Sequence, residues 1–372
     1  MGGAADLGEG FFRAAVDGLT PYQPGKPVED VQRELGLDHV IKLASNEGPF
    51  GPFAAAQEAM ARAALELNRY PDGGAFRLHA ALAERHGVAP EAICVGSGAD
   101  GCIDMLSQAI LEPGDEVACG WPSFPSYLIY AHKQGATSVT VPLTEHRYDL
   151  DALLGAVTER TKLVYICHPN NPTGTMNTTD ELDAYFERVP EHVLTVVDQA
   201  YFEYIDRPDY PDAVERYLKA GRRVVVLRTF SKIYGLAGLR VGYAVGPHAV
   251  CAALAKVRRP FDLSTSAQVA ALASLEEVDE VARRRAVNAE GLLRLETVLR
   301  AHGFDPPASV GNFHYVDTGA DATDLFERLL REGVIVRPLA GFGSTTAIRV
   351  SVGTEAEIDA FAAALGRVLT RA

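Results

Sequence analysis

Lys232 lies in the segment RTFSKIYGLAGLR, residues 228–240, among small and apolar residues rather than among other charges. An amine in a dry environment has a lowered pKa and can form a Schiff base with a carbonyl compound. A structural role is commoner for any single lysine. This one, however, follows the strand-like run VVVL, and Arg240 comes after it. The segment therefore indicates a carbonyl-binding lysine.

Asp198 comes directly after the apolar run VLTVV, residues 193–197. A carboxylate at the end of a buried strand needs a partner, because an unpaired buried charge is costly. The protonated nitrogen of a pyridine ring is such a partner. Pyridoxal phosphate requires a lysine for its aldehyde, an aspartate for its ring nitrogen and a binding site for its phosphate.

Residues 96–101, GSGADG, match the pattern GxGxxG and precede a helical segment. The dinucleotide fingerprint expects an acidic residue at the end of the next strand, about 20 residues on. That strand ends in ACGWPSF, which contains no acid, so a nicotinamide cofactor is disfavoured. The pattern favours a phosphate bound by backbone amides at a helix N-terminus, although a turn without a ligand explains the cluster alone equally well.

Lys232, Asp198 and the glycine cluster at 96–101 are far apart in the sequence, and a parallel sheet would bring them together at one edge. Four polar clusters follow four strand-like runs, and ligands of open α/β sheets bind beyond the carboxyl ends of the strands. Helical patterns separate most of the runs, which favours a mostly parallel sheet covered by helices. The strand candidates are residues 92–95, 116–119, 138–141, 163–167, 193–197, 224–227 and 240–245.

The pattern changes after about residue 247. A long helical region, 266–301, precedes strand-like and helical segments that alternate to the end of the chain. The candidates are a strand at 312–317, a helix at 322–333, strands at 334–338 and 347–352, and a helix from 354. We therefore predict an α/β fold. Residues 46–255 form a large domain with a mostly parallel seven-stranded sheet. Residues 1–45 and 256–372 form a smaller α+β domain, in which the N-terminal segment has no sheet of its own and packs against the C-terminal unit.

The bulk composition narrows the function classes. The 372 residues carry a formal net charge of −14, which disfavours nucleic acids and anionic membranes as partners. The five cysteines are odd in number and form no CxxC motif, so we expect buried free thiols in a reducing cytoplasm. We see no signal peptide, no segment long enough to span a membrane, and no metal site.

Several motifs resemble the fold-type-I pyridoxal-phosphate-dependent aminotransferases, namely HPNNPTG at 168–174, DQAY at 198–201 and RTFSKIYGLAGLRVGY at 228–243. Within that group the chain resembles histidinol-phosphate aminotransferases from about residue 20 onward. The motifs that carry this narrower resemblance are PYQPGKP, KLASNEGPFGP, NRYPDGG, VIVRPLAGFG and IRVSVGT. The resemblance implies a cytoplasmic homodimer that uses pyridoxal 5′-phosphate in a ping-pong reaction. Glutamate would supply the amino group and imidazole acetol phosphate would accept it, as in histidine biosynthesis.

The resemblance also implies roles for the cofactor-binding residues. Lys232 would bond to the cofactor aldehyde and shuttle a proton between Cα and C4′, and Asp198 would keep the ring nitrogen protonated. Asn171 and Tyr201 would donate to the O3′ oxygen, and Phe124 would stack on the ring face. The residues implied to bind the phosphate are Gly98, Ala99, Asp100, Thr229, Ser231 and Arg240.

The implied substrate residues come mainly from the smaller domain. Arg349 resembles the arginine that binds the α-carboxylate of glutamate, and Asn46 belongs to the same set of substrate-binding residues. Arg337, Tyr22 and Tyr70 resemble the set that holds the phosphate of histidinol phosphate. In the family the tyrosine that matches Tyr70 reaches across a dimer interface, so the resemblance implies a shared active site.

The chain departs from the family pattern at a few positions. Gln199 replaces the usual glutamate beside the cofactor aspartate, which changes polarity there without removing a direct role. The segment RPFDLS, ending at Ser264, and His314 replace other family residues, and we expect both to lie near the side chain of the second substrate. His314 and His168 are otherwise expected to be incidental, because Lys232 already serves proton transfer.

Three other functions remain open. An aromatic amino-acid aminotransferase acting on phenylpyruvate is the nearest, since GWPSF and VPLTEHRYDL resemble that subgroup equally. A decarboxylase on the same fold is a second. A non-catalytic cofactor-binding regulator is a third, but its relatives carry an N-terminal DNA-binding segment. The roughly 45 residues before the motifs are too few and not basic.

Overall fold

A computed structural model describes residues 10–19 and 25–370. The strands are β1 (Ile41–Lys42), β2 (Ile93–Gly96), β3 (Glu116–Trp121), β4 (Thr137–Pro142), β5 (Thr161–Cys167), β6 (Leu194–Asp198), β7 (Val224–Thr229), β8 (Gly242–Val245), β9 (Phe313–Asp317), β10 (Val334–Ile335), β11 (Arg337–Pro338) and β12 (Ala347–Ser351). The α-helices are α1 (Ala14–Asp17), α2 (Val28–Leu35), α3 (Ala54–Ala63), α4 (Phe76–His86), α5 (Gly98–Ile110), α6 (Ser126–Lys133), α7 (Leu150–Gly155), α8 (Thr179–Arg188), α9 (His248–Val257), α10 (Thr265–Leu275), α11 (Val278–Ala301), α12 (Ala322–Arg331) and α13 (Glu355–Thr370).

The largest sheet has seven strands in the order β2-β8-β7-β6-β5-β3-β4. The pairs from β7 to β4 are parallel, and β8 runs antiparallel to both of its neighbours. Nearly every residue of β5, β6 and β7 is buried, because helices cover both faces of the sheet. This confirms the predicted α/β fold with a mostly parallel, helix-covered sheet.

The C-terminal part builds two small sheets around a separate apolar core. Strand β12 pairs antiparallel with both β9 and β11. Helices α11, α12 and α13 cover this sheet with a core that includes Leu295, Leu329 and Phe361. The N-terminal segment joins this part through β1, which pairs in parallel with β10. Among its described residues, this segment therefore has no sheet of its own, because its strand belongs to a sheet shared with β10. The domain boundaries at residues 45 and 255 stay a prediction.

Three elements differ from the predicted ones. The helical region 266–301 is two helices, since the chain leaves the helix after Leu275 and α11 begins at Val278. The run 334–338 is divided between β10 and β11, which pair with different strands. Strand β8 begins at Gly242 rather than 240, because Arg240 has a φ of 52° that ends the preceding turn.

Among the described residues, no helix combines the length and the apolarity needed to cross a bilayer.

Candidate active site

The carboxyl ends of the central strands meet the N-terminus of α5 around a cavity of about 110 Å³. Asp198 ends β6, Cys167 ends β5 and Thr229 ends β7, so the strand order alone brings these residues together. The lining residues are Ala99, Asp100, Phe124, Cys167, Asn171, Asp198, Ala200, Tyr201, Thr229, Ser231, Lys232 and Arg240. All of the sequence-predicted cofactor residues except Gly98 therefore line one cavity, and Gly98 precedes Ala99 in the first turn of α5.

The Lys232 amine lies at the cavity wall and has few hydrogen-bond partners among the described residues. Among residues 10–19 and 25–370, the one acceptor of its Nζ is the carbonyl oxygen of Ser45, at a long distance of 3.4 Å. Desolvation, with a further contribution from the Arg349 charge, lowers the pKa of Lys232 to about 7. A large fraction of the amine is therefore uncharged near neutral pH, which is the form that attacks a carbonyl.

Asp198 is buried and accepts one hydrogen bond on each carboxylate oxygen. The Tyr127 hydroxyl donates to Oδ2 at 2.7 Å, and the Ala200 backbone N–H donates to Oδ1 at 3.1 Å. Burial raises the pKa of Asp198, whereas these two hydrogen bonds and the nearby Lys232 act to lower it. The carboxylate has no ion pair within residues 10–19 and 25–370, so a cationic group in the cavity would complete its environment.

The first turn of α5 offers backbone amides to the cavity. Gly98, Ala99 and Asp100 precede the first intrahelical hydrogen bond, from the Gly101 N–H to the Ser97 oxygen, so their amides have no helical partner. The Asp100 carboxylate accepts hydrogen bonds from the hydroxyls of Ser126 and Tyr130 at 2.5 and 2.7 Å, so each of its oxygens has a donor. The backbone amides of the turn therefore remain available to an anion in the cavity.

Hydroxyl and guanidinium donors surround the same turn. Arg240 Nη1 donates to Ser231 Oγ at 3.4 Å, and Thr229 Oγ1 accepts from the Ser231 N–H at 3.1 Å. Gly98 has a φ of 76°, and a Cβ atom there would lie 2.9 Å from Arg240 Nη2. Glycine is therefore required for the guanidinium to approach the amides this closely. Together these groups form an anion-binding cradle.

A second cavity of about 170 Å³ shares Phe124, Asn171, Tyr201 and Lys232 with the first. It adds two arginines, Arg337 and Arg349, together with Asn46 and Phe342. The remaining lining residues are Gly25, Ala44 and Ser45. The two cavities form one connected site.

The buried Arg349 guanidinium is held by the Asn171 side chain and by the Ala44 carbonyl oxygen. Asn46 donates to the Tyr201 hydroxyl at 2.8 Å, which links the two cavities through hydrogen bonds. The Phe342 ring lies between the arginines, 5.6 Å from the Arg337 guanidinium and 5.2 Å from that of Arg349. Two separated cations in an acidic protein suit a substrate with two anionic groups.

Tyr22, one of the predicted substrate residues, lies outside the described residues. Another, Tyr70, does not line this site. Tyr70 is 81% exposed, stacks on Phe261 with ring centroids 4.6 Å apart, and borders a surface groove that also includes Ser264. Ser264 accepts a hydrogen bond from the Ala267 N–H and so begins α10. Its predicted place near a substrate side chain stays a prediction.

The prediction that His314 lies near the side chain of the second substrate was wrong. His314 pairs with Val350 on β12, whereas Arg349 is the neighbouring residue whose side chain enters the cavity. Successive residues of a strand point to opposite faces, so His314 points to the other side and its Nε2 contacts the Leu292 carbonyl of α11 at 3.1 Å. It packs in the core of the C-terminal part and does not touch the site.

His168 and Gln199 have structural contacts. His168 stacks on Tyr210 with ring centroids 4.5 Å apart, and its Nε2 contacts the Asn177 carbonyl oxygen at 2.7 Å. Gln199 accepts from Arg228 Nη2 at 2.9 Å and donates to the Pro211 carbonyl oxygen at 2.8 Å. Neither residue lines the cavities, in agreement with the sequence-based expectation for both.

Sequence reasoning missed Tyr127 and Phe342. Tyr127 follows Phe124 by one helical turn in WPSFPSY, and that spacing was the available signal for a buried hydroxyl near the ring. Phe342 lies in the matched segment VIVRPLAGFG, between Arg337 and Arg349 in the sequence, but no pattern in the segment shows that its ring lies beside both guanidinium groups.

Comparison with known families decides the assignment. Residues 38–365 match the family model described as aminotransferase class I and II. The chain belongs to this aminotransferase family. The match confirms the family predicted from the motifs, and an aminotransferase is an enzyme rather than a regulator.

Similar aminotransferases cover nearly the whole chain. The histidinol-phosphate aminotransferase of Moorella thermoacetica is 43% identical over 96% of this chain and 92% of its own length. That of Akkermansia muciniphila is 47% identical over 94% of this chain and 96% of its own length.

Solved structures of aminotransferases share the fold. The histidinol-phosphate aminotransferase of Sinorhizobium meliloti, in complex with pyridoxal-5′-phosphate, superposes with a TM-score of 0.88 at 31% identity. The alignment covers 98% of this chain and 99% of the other. A mutant of the Thermus thermophilus aspartate aminotransferase gives 0.85 at 27% identity, covering 96% and 99%. The predicted fold type is confirmed.

Proposed function

We propose that this aminotransferase transfers an amino group from glutamate to imidazole acetol phosphate, yielding histidinol phosphate, in a ping-pong cycle that uses pyridoxal 5′-phosphate. One observation carries the proposal. Lys232, Asp198 and the cradle at the N-terminus of α5 face a single site that continues to Arg337 and Arg349. The identity of the phosphorylated substrate is taken from similar proteins, which are named histidinol-phosphate aminotransferases.

The residues fit the cofactor. The site offers an amine for its aldehyde, a buried carboxylate for its ring nitrogen, and amide, hydroxyl and guanidinium donors for its phosphate. A side chain at Gly98 would crowd the Arg240 guanidinium in that cradle. When bound, the cofactor supplies an electron sink that makes the α-proton of the amino substrate acidic.

The chain itself supplies proton transfer and orientation. Lys232, with its pKa lowered to about 7, can remove the proton from the substrate Cα and return it near neutral pH. Asp198 would stabilise a protonated ring nitrogen, while Asn171 and Tyr201 would donate hydrogen bonds to the O3′ oxygen. Phe124 would cover the ring face and exclude water. The phosphate-binding residues are Gly98, Ala99, Asp100, Thr229, Ser231 and Arg240.

The arginines divide the recognition of anions between them. Arg349, held by Asn171 and Ala44, binds the α-carboxylate of glutamate, and Asn46 supports this end through Tyr201. Arg337 on the other side of Phe342 binds the phosphate of histidinol phosphate, together with Tyr22 and with Tyr70 of a second copy. A guanidinium suits both tasks because it can donate two parallel hydrogen bonds to one anion.

The exposed Tyr70 supports a homodimer with a shared active site. Its ring and that of Phe261 form an exposed aromatic pair, and Leu65, Leu67 and Phe76 nearby in the sequence are also exposed. A second copy of the chain would cover these side chains and receive Tyr70 in its site. We also place the enzyme in the cytoplasm, because all five cysteines are unpaired and buried.

A titration of half-reactions tests the substrate. Purified holoenzyme is mixed with histidinol phosphate, glutamate or phenylalanine, and the absorbance of the bound cofactor is followed until the amine form appears. We expect conversion by histidinol phosphate and by glutamate. Conversion by phenylalanine alone would instead indicate an aromatic aminotransferase, and release of carbon dioxide would indicate a decarboxylase.

Replacing Arg337 by leucine should separate the phosphorylated substrate from the aromatic one. The loss of charge-assisted hydrogen bonds to phosphate should lower kcat/KM for histidinol phosphate by about 10- to 100-fold. The value for phenylalanine, which carries no second anion, should change by less than about 3-fold. Arg349→Leu is the matched control, because it should weaken glutamate and phenylalanine together. Equal losses for both substrates in Arg337→Leu would refute the assignment.

A further inference from the structure

The Tyr127 hydroxyl reaches the cofactor aspartate from behind the site. Tyr127 lies in the first turn of α6, is fully buried, and donates to Asp198 Oδ2 at 2.7 Å. Among the described residues, Tyr127 is the one whose side chain forms a hydrogen bond with Asp198. Tyr127 does not line the cavity. Its hydroxyl therefore acts on the carboxylate without touching a ligand in the cavity.

Aromatic packing fixes the position of this hydroxyl. The Tyr127 ring stacks on Tyr165 of β5, with centroids 4.3 Å apart and an interplanar angle of 12°, and meets the Phe124 ring edge-on at 5.7 Å. Stacked and T-shaped contacts of this kind hold a ring in one orientation. Because Phe124 lines the cavity, the same packing connects the proposed ring-stacking residue with the hydrogen bond to Asp198.

The two hydrogen bonds to Asp198 fix the plane of its carboxylate. The Ala200 N–H holds Oδ1 and the Tyr127 O–H holds Oδ2, so rotation about the Cβ–Cγ bond would break one or both. Each carboxylate oxygen can accept a further bond, and those lone pairs remain for the cavity. A rigid support of this kind lets a carboxylate meet its partner without reorganisation.

We propose that Tyr127 is a positioning residue that orients the Asp198 carboxylate toward the ring nitrogen of the cofactor. The proposal rests on the proposed function, because it requires a pyridine ring in the cavity. It assigns a task to a residue that contacts neither substrate nor cofactor.

The charge balance supports this role. Burial raises the pKa of Asp198, and the hydrogen bond from Tyr127 is the largest influence that lowers it. Loss of that donor would raise the pKa of Asp198 further and favour its neutral form, which cannot neutralise a protonated ring nitrogen. The titratable side chains that influence Asp198 are Tyr127, Tyr165, Cys167, Tyr201, Lys232 and Asp100.

Tyr127→Phe removes the donor and keeps the ring, and Tyr165→Phe is the matched control. Tyr165 belongs to the same ring stack, but its hydroxyl donates no hydrogen bond to Asp198. Holoenzymes are prepared with cofactor isotopically labelled at the ring nitrogen, and NMR follows the protonation of that nitrogen against pH. The dissociation constant of the cofactor, kcat and KM are measured in parallel.

In Tyr127→Phe we expect the ring nitrogen to lose its proton at a pH about one unit lower than in the wild type. The cofactor should bind about 10-fold more weakly, and kcat should fall about 10-fold with KM changed by less than about 3-fold. Tyr165→Phe should match the wild type in every readout.

Two results would overturn the proposal: a Tyr127→Phe titration identical to that of the wild type, or equal changes in both variants, which would indicate a packing role. If Tyr127→Phe does not fold, a fluorinated tyrosine at position 127 replaces it. This stronger donor should shift the nitrogen titration in the opposite direction, and no shift would refute the role. A wild-type protein that binds no cofactor would refute the proposed function instead.

Discussion

At Lys232 and Asp198 the same desolvation favours the neutral form of both side chains. It lowers the pKa of the amine to about 7, which produces the reactive free base. It also raises the pKa of the Asp198 carboxyl group, which favours the neutral form. The hydrogen bonds from Tyr127 and Ala200 oppose this effect and stabilise the carboxylate. The site therefore leaves the lysine almost without hydrogen bonds while the aspartate has two supporting donors.

The titration of Lys232 can be measured directly in the apoprotein. An amine-reactive reagent is applied over a range of pH, and labelling at position 232 is measured by peptide mapping. Because only the deprotonated amine reacts, the rate should rise with pH and level off above a midpoint near 7. An ordinary lysine has its midpoint near 10.4.

Lys232→Met is the control that identifies the labelled peptide. A rate that keeps rising past about pH 9 without levelling off would show that the amine is solvated and that the cavity does not depress its pKa.

The role of a single residue was predictable where a charged side chain stands among apolar or small neighbours in the sequence. A lysine among glycines and an aspartate at the end of an apolar strand are visible in the sequence. The role of Tyr127 was not predictable, because a tyrosine in a helix is commonly buried or half-buried without contacting a functional residue. His314 was placed wrongly because its orientation depends on strand register, which alternates with each residue.

At the scale of elements, the cradle depends on how closely β8 approaches the N-terminus of α5. A Cβ atom at Gly242 would lie 2.5 Å from the Ala99 nitrogen, 2.6 Å from the Gly98 carbonyl carbon and 2.9 Å from the Arg228 oxygen. All three are backbone atoms, so no side-chain rotation could relieve the contact.

Gly242→Ala should therefore displace the helix end. We expect unfolding free energy to fall by about 1–3 kcal/mol because the site is overpacked. Cofactor affinity should fall as well, because the cradle amides move. Chemical denaturation of the apoprotein and titration with pyridoxal phosphate measure the two effects.

Gly238→Ala is the matched control, because a Cβ atom there would meet nothing within 4 Å. It should stay within about 0.5 kcal/mol of the wild type and bind cofactor normally. If Gly242→Ala behaved in the same way, the close approach would not support the cradle.

Element types were predictable because apolar runs and helical periods recur along the large sheet. The antiparallel direction of β8 was not, since it depends on the short turn at Ala237–Leu239 and the left-handed backbone of Arg240. Likewise, no local signal divided residues 334–338 between two sheets, because β10 pairs with the distant strand β1 whereas β11 pairs with β12, the next strand along the chain.

At the scale of the whole molecule, the proposed dimer connects the exposed Tyr70 with the proposed phosphate-binding residue Arg337. Tyr70 is remote from the cavities of its own chain, and Lys232 lies inside them. In a shared-site dimer, a Tyr70→Ala chain impairs the site of its partner, whereas a Lys232→Ala chain impairs its own.

Co-expression of these two variants should therefore restore activity that neither has alone. A mixed dimer contains one site with both defects and one intact site, so random assembly should give about a quarter of wild-type activity. Turnover of histidinol phosphate by the purified mixture measures the effect. Activity no higher than the sum of the two separate variants would indicate that Tyr70 serves no neighbouring site.

The one tryptophan of the sequence, Trp121, ends β3 where the C-terminal part meets the large sheet. A Cβ atom at Gly343 would lie only 2.0 Å from the Trp121 indole nitrogen, so the turn Ala340–Phe342 rests against this ring. Phe342 of that turn lines the substrate cavity. The enzyme thus carries an intrinsic fluorophore at this contact, and its emission spectrum should change if ligand binding alters the packing there, without any attached dye.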